Sequence, residues 1–272
     1  MTVSPLDEEI SAYYETGEEA RRLDTLARVE EARTHELIQR SFPPPPATVL
    51  DVGGGTGAYA FWLAERGYEV HLIDPIPLHV ERALERSRQG PRPLASAAIG
   101  DARNLDRPDD GVDAVLMLGP LYHLTERAER VRALAEARRV LRRGGALLAA
   151  AISRFAPAIE GLRKEYLLDP DFEAILERDL RDGQHRNPTR RPGWFTTAYF
   201  HLPTELGPEL TDAGFSEVEV YAVEGIAELL SDLEAWLDDA AHREVLLRTL
   251  GRLEREPSLL GATGHLAGIG RA

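Results

Sequence analysis

The sequence predicts an α/β protein built on a doubly wound, mostly parallel sheet. Three observations lead there. Short apolar runs alternate with amphipathic helical stretches; several runs end in an acid or a glycine; and one, Val49-Leu50-Asp51-Val52, passes through Gly53-Gly54-Gly55-Thr56-Gly57 into a helix. A strand, a tight turn and a helix in that order open a β-α-β unit.

Residues 1–42 read as helical, with 6–15 and 18–40 parted near Thr16-Gly17. Their apolar faces are weak, which suits a flap over a pocket, and Tyr13, Tyr14 and Arg33 are the side chains it would present to a ligand. Pro43 to Pro46 stop the helix and lead into the first strand. The helix after the glycine turn covers 58–66. A second strand, 68–74, ends in Asp74, and a helix over 76–88 follows. A third strand near 94–99 leads to Gly100-Asp101-Ala102, and a fourth, 112–118, to Gly119-Pro120-Leu121-Tyr122-His123-Leu124. Thr125 to Arg142 reads as a helix stopped by Gly144-Gly145, and 146–152 as a fifth strand. This order calls for right-handed crossovers in a parallel sheet.

Residues 153–202 interrupt the rhythm with helices over 158–168 and 172–181 and a cationic, aromatic loop, 183–195. Such long insertions commonly act as lids. The pattern resumes with a helix over 203–213 and a strand over 215–223. One long amphipathic helix over 226–255, carrying a leucine stripe, and a last short strand over 264–271 complete it. A single domain follows, divided into a helical flap (1–42), a cofactor-binding half (47–152), a cap insertion (153–202) and a C-terminal half (203–272).

The glycine turn admits two ligands. Gly53, Gly55 and Ala58 fit G-x-G-x-x-G/A, which seats a dinucleotide pyrophosphate on the helix N-terminus. Asp51, Gly53, Gly55 and Gly57 fit D-x-G-x-G-x-G, whose acid repels a pyrophosphate and attracts the ammonium of a methionine moiety. The second pattern favours S-adenosylmethionine; the first keeps a nicotinamide cofactor open. Asp74, 17 residues past Gly57, stands where a carboxylate reaches ribose hydroxyls in either case. Asp101, past the third strand, is placed to accept from an adenine amine.

Composition narrows the function classes. The net charge of −14 argues against a nucleic-acid partner. There is no cysteine, hence no disulfide, zinc–thiolate site or thiol nucleophile. No apolar run approaches a membrane span, and the acidic N-terminus does not resemble a signal peptide, so a cytoplasmic location is expected, as monomer or homodimer.

Taken in order, Asp51-Val52-Gly53-Gly54-Gly55-Thr56-Gly57, Asp74, Gly100-Asp101-Ala102, Gly119-Pro120-Leu121-Tyr122-His123-Leu124 and Arg142-Arg143-Gly144-Gly145 resemble the class I S-adenosylmethionine-dependent methyltransferases. The resemblance covers about 47–152 and 203–271. It implies a seven-stranded sheet of order 3-2-1-4-5-7-6 with an antiparallel last strand. By position it places Asp51, Gly53, Gly55 and Gly57 around the methionine part, Asp74 at the ribose, Asp101 and Ala102 at the adenine, and Leu118 and Gly119 near the methionine amine. Arg33 is a further candidate for the cofactor carboxylate. Members that methylate amines of nucleobases or protein glutamine carry Asn/Asp-Pro-Pro-Tyr after strand four; Gly119-Pro120-Leu121-Tyr122 departs from it. The clustered acids of metal-dependent members are absent from that loop, and no metal is expected.

The expected activity is methyl transfer to an oxygen or nitrogen of a small or medium-sized molecule, the alternatives being a nicotinamide-dependent oxidoreductase and a non-catalytic cofactor-binding module. His123, then His201, are candidate bases for a hydroxyl acceptor. Tyr122, Trp194 and Tyr199 are candidates to line the acceptor pocket, and Arg186, with Arg190 and Arg191, to attract an anionic group.

Overall fold

The structure is a computed structural model and describes residues 9–10, 13 and 25–272. Tyr14 and most of the expected first helix lie outside the described residues. Helix α1 spans Thr25–Ser41, β1 Thr48–Val52, α2 Ala58–Glu65, β2 Glu69–Asp74, α3 Pro77–Gln89, β3 Ser96–Ile99 and β4 Val112–Met117. After β4 come a one-turn helix α4 (Pro120–His123), α5 (Arg127–Val140) and β5 (Leu141–Ile152). The insertion holds α6 (Ala156–Arg163), α7 (Pro170–Asp182) and two short strands, β6 (Gln184–His185) and β7 (Ala198–Tyr199). The chain closes with α8 (Leu206–Asp212), β8 (Ser216–Ala222), α9 (Leu233–Asp238), α10 (Ala240–Leu253) and β9 (His265–Arg271).

Seven strands form one sheet in the order β3-β2-β1-β4-β5-β9-β8, the expected order once the two hairpin strands are counted. Strands β1 to β5 pair in parallel, for example Leu50 opposite His71 on one side and Val115 on the other. Strand β9 runs the other way. Ala272 exchanges hydrogen bonds with Gly144 and Gly145 near the start of β5, whereas the amide of Ser153, just past its end, donates to Gly264. β1 and β4 read as apolar runs because both faces are covered: Val49, Leu50, Val52, Ala114, Val115, Leu116 and Met117 are all buried.

Packing divides the chain into two compact units. One comprises the described residues up to 37 with 151–206 and 220–267; the other comprises 38–150, 207–219 and 268–272. The first has two apolar clusters of its own. Val29, Ala227, Leu233, Leu237, Leu246 and Leu250 form one, and Phe172, Ile175 and Trp194 the other, with Tyr166 and Leu167 against it. Among the described residues no helix is long and apolar enough to cross a membrane.

The structure corrects several elements of the sequence reading: Gly144 and Gly145 lie inside β5 rather than stopping a helix, and the helix expected over 158–168 ends at Arg163. The helix expected over 226–255 is broken into a 3-10 turn, Gly225–Leu229, and the helices α9 and α10. Asp239 takes an extended backbone conformation and caps α10 by accepting from the amide of His242, so the helix restarts there while the leucine stripe stays buried. Residues 183–195, expected as a loop, are instead closed into a hairpin because β6 and β7 pair antiparallel.

Candidate functional site

The glycine turn lies at the tip of β1. Its register with β2 continues past the strand, since the amide of Gly53 donates to Ile73 at 2.7 Å. Gly53 has φ 71°, and a methyl group there would lie 2.7 Å from Cδ of Pro120, so the turn after β4 stacks directly on the glycine turn. Gly57, φ 88°, precedes α2 and would put a methyl 2.9 Å from the Phe61 ring. Gly55 faces open space instead. The backbone is therefore held from below and bare on one side.

Two carboxylates sit beneath it. Asp74 accepts from the amides of Gly55 (2.8 Å) and Ile76 (2.9 Å) and pairs with Nδ1 of His79 at 3.0 Å. These contacts tie β2, α3 and the glycine turn together and leave one of the roughly four acceptor positions of a carboxylate. Asp51 is 2% exposed and tucked under Gly54, and its Oδ2 has no hydrogen-bond partner among the described residues. Burial, reinforced by the negative charge of Asp74, pushes the Asp51 carboxyl up to about 7. A buried acid with one oxygen unpartnered among the described residues, beside a backbone open at Gly55, suits a ligand that brings a positive charge.

Asp101 and Ala102 follow β3. Partial burial pushes the Asp101 carboxyl up, but the two-pronged contact with Arg103 and that residue's amide outweigh it and hold it below the usual carboxylate value. Past β4, Leu118, Gly119, Tyr122 and His123 are half-buried, and the Tyr122 and His123 rings meet edge to face at 4.7 Å. The turn, β2 tip, β3 tip and post-β4 residues all belong to the compact unit that contains 38–150.

The remaining candidates belong to the other unit. Arg33 is 1% exposed and bridged to Glu36 and Glu254, an internal ion-pair network that already neutralises it. Trp194, 5% exposed, packs on Phe172 and Tyr166 and carries the Arg191 guanidinium over its ring, so it acts as core of the insertion rather than as a pocket wall. Arg186 donates to the carbonyls of His185 and Ala198 and to Gln184, within the hairpin. Arg191 also bridges to Asp169. Tyr199 donates to Glu205 at 3.0 Å and accepts from Arg154 at 2.9 Å. His201 is fully buried, its amide bonded to Ile152 and its ring edge-on to Tyr199 at 4.8 Å.

Several ionisable groups were not anticipated from the sequence. His185 bridges Asp179 (2.8 Å) and the Trp194 carbonyl (2.8 Å), pinning the hairpin to α7. Glu224 pairs with Nδ1 of His265 at 2.5 Å and also accepts from Thr263 and the His265 amide. Burial opposes ionisation of Glu224, but the charge and hydrogen bonds of His265 hold its carboxyl well below the usual range; nearby Glu228 is pushed up to about 7 by burial and by Glu224. Glu30, Glu224 and His265 bring donor atoms within 4.8 Å of one another. At 2.5 Å the carboxylate and imidazole satisfy each other directly. The sequence offers weak signals for such pairs, because Glu224 and His265 are 41 residues apart.

Comparison with known proteins shows the family. Residues 49–145 match the family described as a methyltransferase domain. An uncharacterized methyltransferase of Mycobacterium tuberculosis is 40% identical over 114 residues, covering 41% of this chain and 42% of that relative's length. The malonyl-(acyl-carrier protein) O-methyltransferase of Geobacter sulfurreducens is 33% identical over 217 residues, 79% of this chain and 73% of that one. Among solved structures, a methyltransferase from Thermotoga maritima described as a possible histamine N-methyltransferase superposes with a TM-score of 0.58 at 20% identity. The superposition covers 98% of this chain and 99% of that one, a likeness of fold alone.

Proposed function

The chain belongs to the S-adenosylmethionine-dependent methyltransferases, and on that premise we propose that it transfers a methyl group to an oxygen or nitrogen of a small or medium-sized molecule. The nicotinamide alternative falls with the family assignment. The observation that carries the reading is the buried Oδ2 of Asp51 beneath the glycine turn, unpartnered among the described residues. In this proposal Asp51, Gly53, Gly55 and Gly57 hold the methionine part, with Leu118 and Gly119 beside its amine. Asp74 takes ribose hydroxyls at its remaining acceptor position, and Asp101 and Ala102 take the adenine.

The bound cofactor supplies an activated methyl group on a sulfonium. What the chain supplies is chiefly alignment: a rigid cradle on strand tips that holds donor and acceptor in line. The like charges of Asp51 and Asp74 favour a cationic ligand over a pyrophosphate. For a hydroxyl acceptor, His123 at the end of α4 is the first candidate to take the proton and His201 the second; Tyr122 and Tyr199 are the candidates left for the acceptor side. An acceptor oxygen agrees with the name of the Geobacter relative.

The test is release of S-adenosylhomocysteine from S-adenosylmethionine across a panel of hydroxyl and amine acceptors. Acceptor-dependent release is expected, reduced by His123→Ala if the acceptor is a hydroxyl. Tight cofactor binding without turnover on any acceptor would instead identify a non-catalytic binding module.

A further inference from the structure

The side chain of Arg130 makes an arrangement that the cofactor-site residues do not explain. Arg130 lies in the second turn of α5 and is 1% exposed. Its Nη1 reaches back and donates to the carbonyls of Leu124 (2.9 Å) and Thr125 (3.0 Å), the two residues that follow α4. Its Nε and Nη2 grip Glu209 of α8, also 1% exposed, at 2.8–3.1 Å.

Each part of this has a physical cost. A cation near a helix N-terminus opposes the helix dipole, and burying two charges forfeits hydration that the pair recovers only with good geometry. Buried pairs of this kind are commonly replaceable by apolar residues without loss of stability. The feature that apolar residues cannot supply is a donor for the carbonyls at the end of a one-turn helix, which have no partner within it. Those carbonyls end the loop that begins at Gly119. That loop packs against the cofactor cradle: a methyl on Gly119 would stand 3.2 Å from the Gly53 carbonyl oxygen, and Pro120 covers Gly53. Arg127 repeats the link one turn earlier, bridging to Asp212 of α8.

We propose that Arg130 and Glu209 are positioning residues that hold the loop after β4 in its cofactor-binding shape, so that α8, 79 residues further along the chain, helps to set cofactor affinity. This rests on the cofactor role given above to Leu118 and Gly119.

The test compares Arg130→Lys, Glu209→Gln and the charge-free pair Arg130→Met/Glu209→Leu with wild type. S-adenosylhomocysteine affinity is measured by titration calorimetry, amide exchange over 119–125 by mass spectrometry, and stability by thermal unfolding. Ala137→Gly, a buried position in α5 away from the loop, serves as a control that lowers stability without touching the loop. The proposal expects the folded variants to lose about tenfold or more in affinity with faster exchange over 119–125, Arg130→Lys least affected, and the control to bind as wild type. It is overturned if the folded variants bind and exchange like wild type, or if the control loses affinity equally. Failure of wild type itself to bind would instead remove the cofactor reading on which the proposal rests.

Discussion

Replacing Asp51 by asparagine separates what the buried acid does for the fold from what it does for the ligand. In the folded chain its carboxyl titrates near 7, against 3.8 unperturbed, because burial and the charge of Asp74 disfavour its ionisation. A carboxyl raised in the folded state contributes stability that is full below the unfolded value and is lost as pH rises through the folded one. Asp51 therefore withdraws stability between about pH 4 and pH 7, and above that window the ligand-free protein bears its ionised form at a cost of up to about 4 kcal/mol. Asp51→Asn keeps the shape and removes the charge. Its melting temperature at pH 8 is expected to rise by roughly 5–15 °C, with little change at pH 4. Cofactor binding should respond oppositely. If the ionised acid holds a ligand cation, wild-type affinity for S-adenosylhomocysteine falls about tenfold between pH 8 and pH 6, with proton release on binding, and Asp51→Asn binds weakly with a flat pH profile. Calorimetry in buffers of different ionisation enthalpy reads both quantities. Parallel stability curves for variant and wild type, or unchanged affinity in the variant, would refute the reasoning.

Two further substitutions test separate parts of the structure. Gly53→Ala forces a methyl to within 2.7 Å of Pro120 at a positive φ, and should cost about 1–3 kcal/mol in stability together with cofactor affinity; a variant that unfolds and binds as wild type would show the two turns to be less closely stacked. Arg33→Ala leaves Glu254 buried without its cation and should destabilise by about 3–5 kcal/mol in thermal or urea unfolding. Loss of cofactor affinity without loss of stability would favour Arg33 as a ligand group instead.

The sheet could be read from the chain because each strand tip carries its own signal. Asp51 before the glycines, Asp74 at the end of an apolar run and Gly119-Pro120 after another mark positions where a parallel sheet hands over to loops, while the order of the strands came with the family resemblance those motifs carry. These are local patterns, governed by period and turn chemistry. What was not legible depends on partners remote in sequence. Arg33 read as an available cation because nothing near it in the chain announces Glu254, 221 residues away. Trp194 and Arg186 read as pocket residues because a cationic, aromatic loop looks open until the pairing of Gln184 with Tyr199 folds it back on itself. The leucine stripe over 226–255 correctly indicated burial but not continuity, since Asp239 can serve equally as a surface helix residue or as a cap. Pairs such as Arg130 with Glu209 and Glu224 with His265 likewise emerge only once the strands bring their elements together.

In the proposed function the β1 glycine turn, Asp51 and Asp74 together form the S-adenosylmethionine site. Titration of S-adenosylhomocysteine into the wild-type chain and into Asp74→Asn tests it most directly. Asparagine keeps one acceptor oxygen where the carboxylate now serves Gly55, Ile76 and His79, so the predicted result is one site per chain in wild type and an affinity at least about tenfold lower in the variant. No binding by the folded wild type, or equal binding by both proteins, would contradict it.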